Sequence, residues 1–300
     1  MLAVTILGNN SAIPAFDRHP TAQVVTMDDQ LFLIDCGEGT QMQMSKYKIR
    51  RSRINHIFIS HLHGDHYFGL VGLITSMGLL GRQQDLNLYA PAPLKEIFDM
   101  QLRVADTQLP FNLVFHPLQQ EGLILRSNRF EVGCFRVFHR IECWGFIFRQ
   151  VKPLRKLNPL KAREYEIPAS FFDRLKWGED YHTRTGTIIE NAWVTDAASK
   201  PKSYAYSADT AYNPAIAAKI KGVDLLYHES TYLQDLEERA AKRFHSTTAQ
   251  AAEIAMQAGV NKLLIGHFSS KYEKLDEFER EAKLVFPNTE VAVEGVTYRV

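Results

Sequence analysis

The sequence predicts an α+β protein in which β-sheets stack on one another and helices cover them outside. Each half of the chain has a β-rich stretch interleaved with helical patterns, and Gly, Asn, Asp and Pro punctuate runs of strand length. Apolar residues make up 45% of 300, enough for a large core. Periodicity alone leaves other mixed α/β layerings open.

The elements follow in order. LAVTILG, AQVVTM, LFLID and HIFIS read as short strands. From Asp65 to Leu80 the chain is apolar around most of a helical circumference, through Phe68, Leu70, Val71, Leu73 and Ile74, which predicts a buried helix. The strand LNLYA and the amphipathic stretch PLKEIFDMQLRV come next, then the strands FEVGCFRVFH and WGFIFRQ. Between residue 151 and about 202 the composition turns to charge and aromatics. Order returns with SYAYSAD, VDLLYHES, a helix from Thr247 to Ala258, KLLIGHF, a helix from about Tyr272 to Phe286, and EVAVEG.

Thirty-five Lys and Arg against thirty-four Asp and Glu give a net charge of +1, which excludes a global cationic field, so any nucleic-acid affinity is local. Three widely spaced cysteines without a CxxC suit neither a disulfide framework nor a cysteine zinc site, and a reducing cytoplasm is expected. MLAVTILGNN lacks a basic n-region and reads as a first strand. The longest uncharged apolar stretch, Phe68 to Gly81, is shorter than the roughly 18 residues of a membrane span, so no membrane partner is expected.

The most informative string is IFISHLHGDHYFG. An apolar strand ends at Ser60, and His61, His63, Asp65 and His66 follow within six residues. The i, i+2 spacing puts His61 and His63 on one side of an extended loop, whereas a helical zinc pair would use i, i+4. Imidazole and carboxylate donors suit zinc, and also manganese or iron. Three further candidates end apolar runs: His139 after FRVF, Asp209 after YAYSA and His267 after LLIG. Taken singly, they also read as a strand-end surface residue, the N-cap of TAYNPAIAAKI and a core histidine.

The ordered set FLIDCGEGTQ, HLHGDH, FRVFHRIECWGF, YSADTAY, HSTTAQAAEIA and LLIGHFSSKY resembles the metallo-β-lactamase superfamily and, within it, the ribonuclease Z family of tRNA 3′-processing endonucleases. The resemblance spans nearly the whole chain. It implies a four-layer αββα sandwich with metals at one edge, as a single domain over 1–300 with an inserted arm at 151–190. It assigns His61, His63 and His139 to one zinc, Asp65, His66 and His267 to another, and Asp209 to both. The implied cofactors are two Zn2+ per subunit, with Mn2+ or Fe2+ as alternatives. Such a pair lowers the pKa of an attacking water and stabilises charge growing on a phosphodiester. Asp65 is implied as proton acceptor as well as ligand, and His245 as the group that protonates the departing oxygen or holds the scissile phosphate. Glu229, in YHEST, is expected to orient His245. Otherwise His245 reads as a capping residue of the following helix, and Glu229 as an exposed strand-end carboxylate.

Asp35 in DCGEGTQ is expected to fix the metal loop by hydrogen bonding, with Gly37 and Gly39 permitting tight backbone geometry. LGNNSAIPAFDRHPTA is expected to form a wall of the cleft. VKPLRKLNPLKAR carries Lys152, Arg155, Lys156, Lys161 and Arg163 and no acid, a local cationic arm that by resemblance grips the tRNA elbow. IPASFFDRLKWGEDY stands where many relatives have a glycine-proline-rich tip. Its aromatics Phe171, Phe172, Trp177 and Tyr181 are irregularly spaced and are expected to pack the arm's own core. A second basic run, Lys46, Lys48, Arg50, Arg51 and Arg53, reads either as a phosphate attractor near the active edge or as a solvated connection.

The function so implied is a zinc-dependent endoribonuclease that cuts precursor tRNA 3′ of the discriminator nucleotide. It leaves a tRNA 3′-hydroxyl and a 5′-phosphorylated trailer, and works as a cytoplasmic homodimer with no other protein partner. A small phosphodiesterase, thioesterase or lactonase of the same fold is the alternative. A non-catalytic RNA-binding module is a third reading, disfavoured by a complete ligand set.

Overall fold

Period-two alternation sorts the strand side chains between two cores. In strand Gln30–Ile34, Phe32 and Ile34 join one core, while Leu31 and Leu33 join the other. The computed structural model describes residues 1–27, 29–151, 154–197 and 200–300. Among these, two seven-stranded sheets stand out. The first runs Thr297–Arg299, Leu2–Gly8, Ala22–Met27, Gln30–Ile34, Ile54–Phe58, Leu86–Pro91, Leu113–Leu118. The second runs Thr289–Val291, Lys262–Gly266, Leu225–Glu229, Ser203–Tyr206, Trp144–Gln150, Phe130–Arg136, Gly122–Arg126.

The inner core joins the sheets through Phe32 and Phe58 of the first and Phe146, Phe148 and Tyr204 of the second. Outside the first sheet, helices Leu70–Leu79 and Leu94–Val104 bury Leu73, Ile74, Met77, Leu94 and Phe98 against Leu33, Ile57 and Leu88. Outside the second, helices Thr248–Ala258 and Asp276–Val285 bury Ile254, Ala255, Phe278 and Ala282. The four layers are those of an αββα sandwich. Each sheet has a parallel block, whose crossovers require the covering helices. Among the described residues no helix is long and apolar enough to cross a membrane.

The helix expected from Asp65 to Leu80 is two helices, Gly64–Tyr67 and Leu70–Leu79. The break is tertiary. Gly69 N–H donates to Cys36 O at 2.9 Å, and a Cβ at Gly69 would sit 2.2 Å from Gly37 O, so the incoming loop splits the helix. Phe68, at the break, is 68% exposed rather than buried.

Between strands Trp144–Gln150 and Ser203–Tyr206 the chain builds a small core of its own. Ile167, Leu175, Ile189 and Val194 pack with Leu157, Phe171, Phe172 and Tyr181. Buried Asn191 donates from Nδ2 to Leu175 O (2.7 Å) and Glu179 O (3.0 Å). Its base is the strand pair Lys156–Leu157 and Thr195–Asp196, so the folded segment continues past residue 190. Trp177 is the exposed member of the aromatic set, at 39%, while Phe171, Phe172 and Tyr181 are half-buried against this core.

Candidate metal centre

Strand ends of both sheets deliver donors to one edge of the sandwich. After Ile54–Phe58 an extended segment carries His61 and His63, and helix Gly64–Tyr67 then presents Asp65 and His66. Strands Phe130–Arg136, Ser203–Tyr206 and Lys262–Gly266 end shortly before His139, Asp209 and His267. Trp144 N–H donates to Ser60 O at 3.0 Å, tying the sheets together at this edge.

The seven side chains meet as two groups, His61, His63, His139 and Asp209, and Asp65, His66 and His267. The donor atoms within each lie no more than 4.8 Å apart. Asp209 sits between the groups: Oδ2 is 3.6 Å from His61 Nε2 and 3.4 Å from His66 Nε2, and Oδ1 is 3.3 Å from His267 Nε2. Asp209 is not the cap read for TAYNPAIAAKI, because helix Ala215–Lys219 begins beyond it, after Pro214.

The outer nitrogen of each buried imidazole is anchored, which fixes where the inner one points. His66 Nδ1 donates to Asp35 Oδ2 at 2.7 Å and His139 Nδ1 to Phe244 O at 2.8 Å. His61 Nδ1 lies 3.0 Å from Ser60 Oγ, and His267 Nδ1 3.0 Å from Thr231 Oγ1. Such anchoring presents Nε2 as a lone-pair donor. His63 turns Nδ1 inward, 3.0 Å from His61 Nε2 and 3.1 Å from His139 Nε2. Fully buried Asp35 also accepts from Ser60 N (2.7 Å), Ser60 Oγ (2.8 Å) and Tyr206 Oη (2.7 Å). Asp35, Ala208, Phe244 and His267 all hold φ between 54° and 60°, a left-handed backbone costly for non-glycine residues, concentrated around the site. Gly37 is required nearby because a Cβ there would lie 2.4 Å from Asp65 O.

The electrostatics call for positive charge. Burial opposes ionisation of Asp65 and Asp209, yet the surrounding histidines, His66 and His267 foremost, hold both carboxyls well below the usual range. Burial, reinforced by neighbouring histidines, keeps His61 neutral with its pKa well below 6.5 and lowers His63 to about 4. Burial disfavours a charge on His66 too, but Asp209, Asp65 and Asp35 outweigh it and raise its pKa well above 6.5. Asp209 Oδ1 and His66 Nε2 are buried without a hydrogen-bond partner among the described residues. Orphaned inward atoms, two ionised carboxylates and the neutral imidazoles of His61 and His63 together fit metal ions.

Beside the cluster, Glu229 ends strand Leu225–Glu229 fully buried, not exposed. Its Oε1 accepts from His245 Nδ1 at 2.8 Å and Thr210 N at 3.1 Å, and its Oε2 from Thr231 N at 3.0 Å and Thr231 Oγ1 at 2.7 Å. Burial pulls the His245 pKa down, but Glu229 overcomes it and raises the value to about 9. The capping role belongs to Thr247, which forms a capping box with Gln250, so His245 is free to face the cleft.

A cleft of about 810 Å3 opens over the cluster, walled by Ser11 to Pro14 of the early loop. Ala12 N–H donates to Asp65 Oδ2 at 2.7 Å. Cations missed in the sequence also line it: Arg140, Arg239, Lys242 and Arg243, the last three recognisable by their i, i+3, i+4 spacing in ERAAKRF. Of the arm cations, Lys156, Lys161 and Arg163 are exposed, and Lys152 lies outside the described residues. Arg155 is tied into the arm's own fold, its Nε donating to Thr195 Oγ1 at 2.7 Å, so it serves structure there. Arg50 to Arg53 precede the opposite end of the strand that delivers His61. At ~3.3 Å per residue, that strand separates them from the active edge, which leaves the solvated-connection reading.

Stacked sheets, outer helices and a His/Asp cluster at one edge define a protein of the metallo-β-lactamase fold. A Bacillus subtilis metallo-β-lactamase fold protein, YhfI, superposes with a TM-score of 0.70 at 18% identity over all of both chains. Human tRNase Z, short form, superposes with a TM-score of 0.72 at 24% identity over 99% of each. A family model described as anti-Pycsar protein Apyc1 matches residues 2–141. Ribonuclease Z of Bacteroides fragilis is 42% identical over 97% of this chain and 96% of its own length. That of Parabacteroides distasonis is 40% identical over 99% and 98%. The chain belongs to the ribonuclease Z family.

Proposed function

We propose that the chain is a metal-dependent endoribonuclease that processes the 3′ end of precursor tRNA, cutting after the discriminator nucleotide. The observation that carries this is 42% identity to a ribonuclease Z over 97% of the chain. His61, His63, His139 and Asp209 would hold one cation and Asp65, His66, His267 and Asp209 a second, zinc by donor chemistry, with manganese or iron as alternatives. When bound, the cations supply water activation near neutral pH and neutralisation of phosphate charge.

The chain's own groups handle the protons. Asp65 Oδ2, oriented by Ala12 N–H, accepts the proton of the attacking water as its oxygen bonds to phosphorus. The P–O3′ bond breaks, and His245 donates a proton from Nε2 to the departing O3′, because its Nδ1 is held by Glu229. The products are a tRNA 3′-hydroxyl and a trailer with a 5′-phosphate.

The working unit in this reading is a homodimer, one subunit's arm gripping the tRNA whose 3′ end enters the partner's cleft. Exposed Lys156, Lys161 and Arg163 support the arm's role. Three buried, unpaired cysteines suit a reducing cytoplasm. The test is cleavage of one precursor tRNA, with product ends mapped and metal measured on the same sample. Products ending in a 2′,3′-cyclic phosphate, or cleavage by metal-free protein, would refute it.

A further inference from the structure

One rim of the cleft carries cations that the metal cluster does not explain. Helix Glu237–Arg243 turns Arg239, Lys242 and Arg243 to the cleft on one face, and Arg140 joins them from the loop after His139. The helix's acids do not neutralise this face. Glu237 is occupied by Gln234 (2.7 Å) and Gln250 (3.1 Å), and Glu238 meets Lys242 only in an exposed 3.5 Å pair. Among the described residues, Arg239 and Arg243 have no carboxylate partner. The helix dipole favours cations in the last turn and so accounts for Lys242 and Arg243, but it disfavours Arg239 in the first turn. Arg239 is instead aimed by Tyr232, its guanidinium carbon 5.7 Å from the ring centroid. Arg140 Nη2 lies 2.9 Å from His63 Nε2. A cation on His63 Nδ1 would leave the proton on Nε2, which then cannot accept from Arg140, freeing that guanidinium for the cleft.

The polarity of the cut says which strand this rim meets. Breaking P–O3′ makes the discriminator nucleotide the leaving group, so the group that protonates O3′ marks its side. His245 follows the helix directly, after Phe244 turns the chain at φ 60°. The basic face therefore borders the leaving-group side, whereas the wall from Ser11 to Pro14 meets Asp65, the proton acceptor in this reading, through Ala12 N–H. We propose that Arg239, Lys242 and Arg243, with Arg140, form a phosphate cradle for the single-stranded 3′ end of the tRNA body, the strand 5′ of the cut. This rests on the nuclease reading above.

The test uses the full-length R239A/R243A variant with its metal content and melting temperature recorded. Wild-type cleavage of precursor tRNA is measured first, since its absence refutes the nuclease reading and not the cradle alone. With wild type active, two inhibitors are compared, a mature tRNA ending at the discriminator 3′-hydroxyl and a free 5′-phosphorylated trailer oligonucleotide. The cradle predicts that the variant's inhibition constant for the mature tRNA rises about tenfold or more while that for the trailer stays within about twofold. The slope of log affinity against log salt should fall by about 1.4, from two phosphate contacts at roughly 0.7 each on a single strand. R239K/R243K, which keeps the charges, should recover most of that slope. An unchanged slope, a loss confined to the trailer, or a loss that lysines do not recover overturns the proposal.

Discussion

The substitution Asp35→Asn tests how the metal loop is held. Asp35 Oδ2 accepts from Ser60 Oγ, His66 Nδ1 and Tyr206 Oη, and Oδ1 accepts from Ser60 N. An asparagine keeps one acceptor oxygen, and three donors compete for the Oδ2 position, so its amide must turn NH2 toward Ser60 N–H. That opposes two donors in a fully buried site. Leaving Ser60 N–H unsatisfied costs ~1–3 kcal/mol. Loss of the anionic partner also lowers the basicity of His66, and changes of this kind typically weaken metal affinity by 10–100-fold. The expected outcome is a chain that folds, with apo-protein stability lower by roughly 2 kcal/mol and weaker metal retention. Urea unfolding of chelator-stripped protein reads the first, and competition against a chromogenic chelator reads the second. Metal affinity within about twofold of wild type would refute the reasoning, because the carboxylate would then have no hold on His66.

Further predictions concern the acid, the arm and a buried histidine. Glu229 holds the His245 pKa near 9 against the pull of burial, so cleavage that needs protonated His245 falls as pH rises through about 9. Glu229→Gln should move that alkaline limb to lower pH in a pH–rate profile, and an unmoved limb would separate His245 from it. Replacing residues 154–197 with a short flexible linker should raise KM for precursor tRNA at least tenfold while hydrolysis of bis(p-nitrophenyl) phosphate persists, if the arm only positions RNA. Equal loss of both activities would return the arm to a structural role. His56 is a stability sensor. Burial first, then His116 and Arg82, lower its pKa to about 4, and its Nδ1 is buried without a hydrogen-bond partner. The unfolded chain takes up this proton below about 6.5 and the folded chain only near 4, so stability is full above 6.5 and declines as pH falls between those values. With the ring partly exposed, the loss amounts to roughly 1–2 kcal/mol. In metal-stripped protein, His56→Phe should flatten the decline in unfolding free energy from pH 7 to 5, and an identical decline in both proteins would exclude His56.

What the sequence reveals follows from how local each signal is. Strand Gln30–Ile34 alternates between two cores, and helix Thr248–Ala258 announces its start through the Thr247–Gln250 capping box; both are written in adjacent residues. The donors were legible for the same reason: His61, His63, Asp65 and His66 crowd into six residues after one apolar strand, and His139, Asp209 and His267 each close an apolar run. The split at Phe68–Gly69 was not, because its cause is Gly37, brought in from another segment. Arg155 reads like its basic neighbours, yet Thr195, forty residues on, claims it. The basic face of helix Glu237–Arg243 is visible as spacing, but nothing local says that this face meets the cleft. Asp35 lies between the cases: a carboxylate after a strand is easily singled out, while its four donors come from Ser60, His66 and Tyr206.

The central claim is that Asp209 joins two cation sites and that cleavage depends on both. It is tested most directly by titrating zinc into chelator-stripped protein, wild type and Asp209→Ala, while bound metal and precursor tRNA cleavage are read on the same samples. Wild-type cleavage should rise to a plateau at two bound ions per chain, and the variant should bind fewer and lose at least 100-fold in rate. Full cleavage by stripped wild-type protein, or an unimpaired variant carrying two ions, would contradict the account.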